Sequence, residues 1–155
     1  MYKKILVPLD GSELAECVLP HVESIAHGCS VKEVVLIRVV ESFNPTSSGE
    51  GFILSEETVK NIDSQNKTEA QNYLAKFASK LNYEGVNVHS ELLGGKAAET
   101  ISEYATNNEV DLIVIATHGR SGISRWVMGS VADRVLRSAC VPVLMVRAPG
   151  CFPGI

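Results

Sequence analysis

The feature that most constrains this chain is an alternation. Short, largely apolar runs take turns with longer stretches whose apolar residues recur every three or four positions. The runs are KKILVPLD (3–10), VKEVVLIRVVE (31–41), VNVHSELL (86–93), VDLIVIAT (110–117) and VPVLMVR (141–147). Runs of this length, bounded by turn formers, read as strands. Between the first two, Leu14, Val18, Val22 and Ile25 keep helical spacing up to about Gly28. Ser12 supplies an N-cap there and Glu13 suits the first turn. Pro20 falls inside this pattern and predicts a kink or a shortened helix. Ser55 is placed to cap a long helix with Val59, Ile62, Ala70, Tyr73, Leu74, Phe77 and Leu81 on one face. After Gly94 and Gly95 comes a short helix bearing Ala98, Ile101 and Ala105. A last helix is expected over 130–138, with Val131, Val135 and Leu136 inward.

A βαβαβαβαβ order implies an α/β fold of the Rossmann-like kind. Its core is an open five-stranded parallel sheet with right-handed crossovers and helices on both faces. Runs one and four are nearly all apolar, as central strands buried on both faces must be. Run three alternates, with Asn87, His89 and Glu91 at every second position, and suits an edge. The expected strand order is therefore 3-2-1-4-5. At 155 residues the chain fits one domain, 1–155, with 148–155 as a tail. Residues 42–54 hold Asn-Pro, Ser-Ser and two glycines and read as a loop.

Strand five would be the other edge, yet it is apolar, and an exposed apolar edge invites pairing. A second copy related by a two-fold axis would cover it. The expected homodimer forms through residues 141–146, with Val141 at one end and Val146 at the other. The alternative is that the tail folds back over this edge.

The net charge of -4 argues against a general nucleic-acid or membrane-surface binder, while leaving room for a local anion site. No apolar run is long enough to span a bilayer. The N-terminal MYKKILVPLD enters a strand pattern directly, without a signal-peptide core, so the expected compartment is the cytoplasm. Cys17, Cys29, Cys140 and Cys151 form no C-x-x-C or Cys/His cluster, and no zinc site is expected. Cys17 and Cys140 read as small buried hydrophobes, and Cys151 as an exposed thiol.

In the expected order, the switch point lies between strands one and four, where ligands of open α/β sheets bind beyond the carboxyl ends. Those ends are PLDGS (8–12) and ATHGRSG (116–122). The second opens the segment ATHGRSGISRWVMGS, the densest turn chemistry in the chain. Gly119 and Gly122 flank Arg-Ser and suit a nest of backbone amides. Gly129 and Ser130 open the last helix, whose free amides favour an anion. The spacing matches neither G-K-S/T nor G-x-G-x-x-G. Blander roles stay open for each residue. Ser130 and Asp133 resemble a capping box. Asp10 suits a turn, Arg120 and Arg125 solvated surface charges, and His118 a hydrogen-bonded loop histidine.

Over nearly its whole length the chain resembles the universal stress proteins. The resemblance rests on KKILVPLDGSELAECVLPHV, VVLIRVVE and, above all, DLIVIATHGRSGISRWVMGSVADRVLRSACVPVLMVR. ATP-binding members of that family carry G-x-x-G-x9-G-S/T, which falls here on Ala116, Gly119, Gly129 and Ser130. Alanine replaces the first glycine, and the backbone stays approachable if Ala116 has negative φ. The resemblance implies that Pro8, Leu9 and Asp10 line the adenine and ribose end, with Val39 against the base. Ile115 and Ala116 would form the floor. His118, Gly119, Arg120 and Gly122 would wrap ribose and phosphates, and Gly129, Ser130 and Val131 would meet the phosphates. It implies ATP, or AMP or another adenine nucleotide, with Mg²⁺ or Mn²⁺ carried by the phosphates. It also implies a dimer through strand five. The expected function is a nucleotide-dependent regulatory dimer of the stress response, acting on a protein partner that the sequence does not identify. A slow ATP hydrolase and a dimeric interaction module without ATP are the alternatives.

Overall fold

The computed structural model describes residues 1–41, 55–117 and 130–147, and of Ser130 only the backbone. Five strands form one sheet: β1 (Lys4–Pro8), β2 (Glu33–Val40), β3 (Asn87–Gly94), β4 (Leu112–Ala116) and β5 (Val143–Val146). All neighbours are parallel and the order is β3-β2-β1-β4-β5, as the apolar patterning predicts. The helices are α1 (Leu19–Cys29), α2 (Glu56–Lys80), α3 (Ala97–Asn107) and α4 (Ser130–Ser138).

Side-chain alternation along the strands splits the core into two layers. Ile5, Val7, Val34, Leu36, Leu112 and Val114 pack with Val18, Val22 and Ala26 of the first helical region and Leu74 of α2. Leu6, Val35, Ile37, Ile113 and Ile115 face the other way, against Ala98, Ile101 and Ala105 of α3 and Ala132 and Val135 of α4. The sheet is thus covered on both faces, and the inward residues expected for α3 are the ones it buries.

The first helical region shows what Pro20 does. A 3-10 turn spans Ala15–Val18, and α1 starts immediately after it with Pro20 in its first turn. Proline lacks the amide that an interior helical position must donate, so the chain restarts its helix around it. The C-terminal stop is Ser30, in left-handed conformation at φ 55°, two residues beyond Gly28. Ser55 caps α2 as expected, accepting from the Thr58 amide at 3.3 Å.

Two expectations need correcting. Val131 and Leu136 do not point inward: they are 36% and 45% exposed, and Ala132 and Val135 take the buried positions. Spacing of three selects those two, and the small alanine lets α4 approach α3, where Ser102 and Ser138 hydroxyls meet at 2.7 Å. Cys140 is exposed rather than buried, because it lies past the end of α4, in the bend before β5.

At the β3 edge the alternating polar residues form a charged band. His89 Nε2 stands 3.6 Å from Glu33 Oε1 and 3.5 Å from Glu91 Oε1, and the Tyr104 hydroxyl donates to Glu91 at 2.6 Å.

Candidate functional site

The carboxyl ends of β2, β1 and β4 lie side by side, and the strand order reverses between β1 and β4. Beyond Pro8 the chain stays extended for one more residue, and the Leu9 amide donates to Ile37 O at 2.8 Å. It then turns at Asp10-Gly11-Ser12. Asp10 Oδ1 accepts from the Ser12 amide at 3.0 Å and from the Ser12 hydroxyl at 2.6 Å. Ser12 Oγ in turn accepts from the Ala15 amide at 3.2 Å. Ser12 thus bonds the turn that leads into the 3-10 segment rather than capping a helix: the N-cap positions of that segment and of α1 are Leu14 and Val18, neither with a side-chain cap bond. Gly11 has φ +88°, a backbone conformation that suits only glycine at low cost.

Alternation decides which face each site residue serves. Ile115 is 5% exposed and belongs to the α3/α4 layer, and Val39 packs against the same layer from the end of β2, on the far side of β1. Leu9 and Ala116 belong to the opposite layer, against α1 and the 3-10 turn. Their side chains are therefore behind the sheet, and only their backbone reaches the α3/α4 side. Ala116 is not among the residues with positive φ, so it meets the condition set by the missing glycine. Its methyl fills the α1 layer at 8% exposure.

On the other side of the strand ends, α4 starts at Ser130 with Val131 exposed on its first turn. Asp133 pairs with Arg137 Nε at 2.9 Å, one turn further on. The structure thus directs Val39 and Ile115 towards the α3/α4 layer, while Pro8 ends β1 and Asp10 forms the turn beyond it, near enough to Tyr73 on the α1/α2 side for their charges to interact. His118, Gly119, Arg120, Gly122 and Gly129 lie outside the described residues, as does the Ser130 side chain. Among the described residues no group of His, Cys, Asp and Glu is arranged to hold a metal ion.

One group near the site escaped the sequence reading. Arg38 of β2 faces the α1/α2 side, with its guanidinium carbon 5.6 Å from the centre of the Tyr73 ring. A Cβ on Gly11 would come within 2.8 Å of Arg38 Nη1, so the guanidinium lies against the Gly11 Cα. The Tyr73 hydroxyl donates to Glu16 Oε1 at 3.1 Å. Burial first, and then the Glu16 charge and hydrogen bond, hold the Tyr73 phenol well above the usual tyrosine range. The only local signal was a lone arginine in an apolar strand; its partners are distant in sequence.

An open parallel sheet with a turn-rich margin at its switch point defines a doubly wound α/β domain, the class that takes ligands beyond its strand ends. The chain belongs to the universal stress protein family, whose model matches residues 1–147. It is similar to universal stress protein MJ0531 of Methanocaldococcus jannaschii, at 37% identity over 96% of this chain and 84% of the relative. Universal stress protein MJ0577 of the same organism is 31% identical over 95% of this chain and 96% of its own length. The solved structure of MJ0577 superposes with a TM-score of 0.84, covering 97% of this chain and 99% of that one. More distant neighbours share the fold. A universal stress protein of Archaeoglobus fulgidus in complex with dAMP is 23% identical at a TM-score of 0.60, over 93% of this chain and 97% of its own. An Arabidopsis thaliana member with AMP bound is 18% identical at 0.66, over 96% and 93%.

Proposed function

We propose that this protein binds ATP at the β1/β4 switch point and acts as a cytoplasmic regulatory homodimer. The observation that carries the reading is the parity of the strand ends. Val39 and Ile115, from the ends of β2 and β4, pack towards the α3/α4 layer, while the Ala116 methyl is buried in the opposite layer and its φ is not positive. The alanine therefore adds no bulk on the side where a nucleotide would lie. Neighbours of the same fold bound to AMP and dAMP support an adenine ligand.

In this reading Val39 packs on the base, and Asp10, oriented by Ser12, meets the ribose. Ile115 and the Ala116 backbone form the floor. His118, Gly119, Arg120 and Gly122 wrap the ribose and phosphates. Gly129, Ser130 and Val131 start a helix whose free amides and partial positive charge favour phosphate. A triphosphate would carry Mg²⁺ or Mn²⁺ with it, since Mg²⁺ takes most of its ligands from phosphates and water in such sites.

Two measurements test this. Denatured protein should release a co-purified adenine nucleotide, identified by chromatography and mass. Isothermal titration with ATP and Mg²⁺ should show one site per chain, with AMP as the comparison. Protein that carries no nucleotide and gives no heat at millimolar ATP would leave only the interaction-module reading.

A further inference from the structure

We propose that Arg38, stacked between the Tyr73 ring and Gly11, is a positioning residue that holds the Asp10 turn and ties nucleotide affinity to the seating of α2. This rests on the nucleotide site proposed above and adds a control point behind it.

The contacts form a closed circuit. Asp10 binds Ser12, and Ser12 binds Ala15 at the start of the 3-10 turn. Glu16, next in that turn, accepts from Tyr73 of α2. The Tyr73 ring carries Arg38, and Arg38 presses on Gly11, which lies between Asp10 and Ser12. Gly11 is the weakest point of this circuit. Glycine has the widest choice of φ and ψ, so a turn centred on it needs outside support to keep one conformation. The flat guanidinium supplies that support by occupying the space a side chain would take. A planar cation over an aromatic face is a defined geometry, and lysine cannot reproduce it.

The position of Arg38 makes the support specific to the site. Its neighbour Ile37 accepts from the Leu9 amide, and its other neighbour Val39 reaches the opposite face, where the base would pack. Arg38 thus links the two strand ends that the nucleotide would touch, from the side the nucleotide would not touch. Tyr73 is the link to α2, a helix of 25 residues packed on the sheet through Ala70, Tyr73, Leu74 and Phe77. Coupling of this kind is reciprocal: a nucleotide that fixes the Asp10 turn must also steady the Tyr73 region of α2.

The test uses the full chain, with ATP and AMP as probes. Nucleotide affinity is measured by titration for the wild type, Arg38→Met, Tyr73→Leu and the double variant. Hydrogen exchange of residues 70–77 is followed with and without nucleotide. Each single variant should weaken binding by about 5–10-fold, within the range usual for coupled sites. The double variant should be little worse than either single one, because both break the same circuit. Nucleotide should slow exchange in 70–77 of the wild type and not of Arg38→Met. Should Arg38→Met fail to fold, Arg38→Lys serves in its place, with a smaller loss of affinity and a weakened exchange effect. A wild type that binds no nucleotide defeats the site itself. A wild type that binds, with variants of equal affinity or fully additive losses, overturns the role of Arg38.

Discussion

Asp111 ties the start of β4 to the start of β1. Its Oδ2 accepts from the Lys3 amide at 2.7 Å and the Lys4 amide at 2.9 Å, while its own amide donates to Lys4 O at 2.9 Å. The two backbone donors, Lys4 first, hold its carboxyl below the usual carboxylate range. A folded-state value below the unfolded one gives stability that is present above the unfolded value, near 4. That stability is lost as the pH falls through the folded value. Asp111→Ala should therefore cost about 1 kcal/mol at pH 7, a figure kept low because the site is open to solvent. In urea unfolding the gap between variant and wild type should close in strongly acidic buffer. A gap that stays constant with pH would show that the carboxylate charge plays no part. Asp111 was invisible as a tether in the sequence, where it is one polar residue at a strand start. Ala116 is the contrary case. The sequence posed the right question about its φ, and alternation along β4 supplies the answer. Arg38 and Gly11 were each legible singly, as a strand residue and a turn glycine. Their contact was not, because nothing local brings residue 73 beside them.

At the scale of elements, periodicity located every strand and helix that the structure describes. Most strand ends shifted inward by one or two residues, because flanking apolar residues such as Val31, Val110 and Val141 pack against the core from the connections; β3 instead runs one residue further, to Gly94. Orientation was harder than existence. In α4 the sequence offered three large apolar residues, and the expectation gave all of them to the core. The structure buries Val135 completely and leaves Leu136 45% exposed. One turn of rotation about a nine-residue helix is not determined by three side chains when a buried alanine competes for the same stripe. The two valines and the leucine should separate in denaturant unfolding. Val135→Ala should destabilise by about 2 kcal/mol through the lost methyls and the cavity they leave. Leu136→Ala should stay within about 0.5 kcal/mol, as exposed positions do. Equal costs at the two positions would mean that α4 is turned differently from the structure described above.

For the whole molecule, strand order was legible because burial on two faces, on one face or at an edge leaves different patterns in sequence. β5 departs from the pattern expected of an edge, and among the described strands it lies at the end of the sheet with only β4 as a neighbour. Val143 and Met145 pack towards the α3/α4 layer, and Leu144 on the other side is 37% exposed. An apolar strand whose outer hydrogen-bonding edge faces away from its own sheet is what a two-fold β-pairing needs, and a single charge there is how proteins usually block such pairing. In sedimentation equilibrium the wild type should run as a dimer at micromolar concentration and Leu144→Lys as a monomer. Leu144 contributes nothing to the nucleotide margin, so the monomeric variant should keep its affinity for ATP. This separates the two halves of the proposed function. A dimer that survives Leu144→Lys would place the interface elsewhere on the molecule, and a monomeric wild type would remove the dimer while leaving the site at β1 and β4 intact.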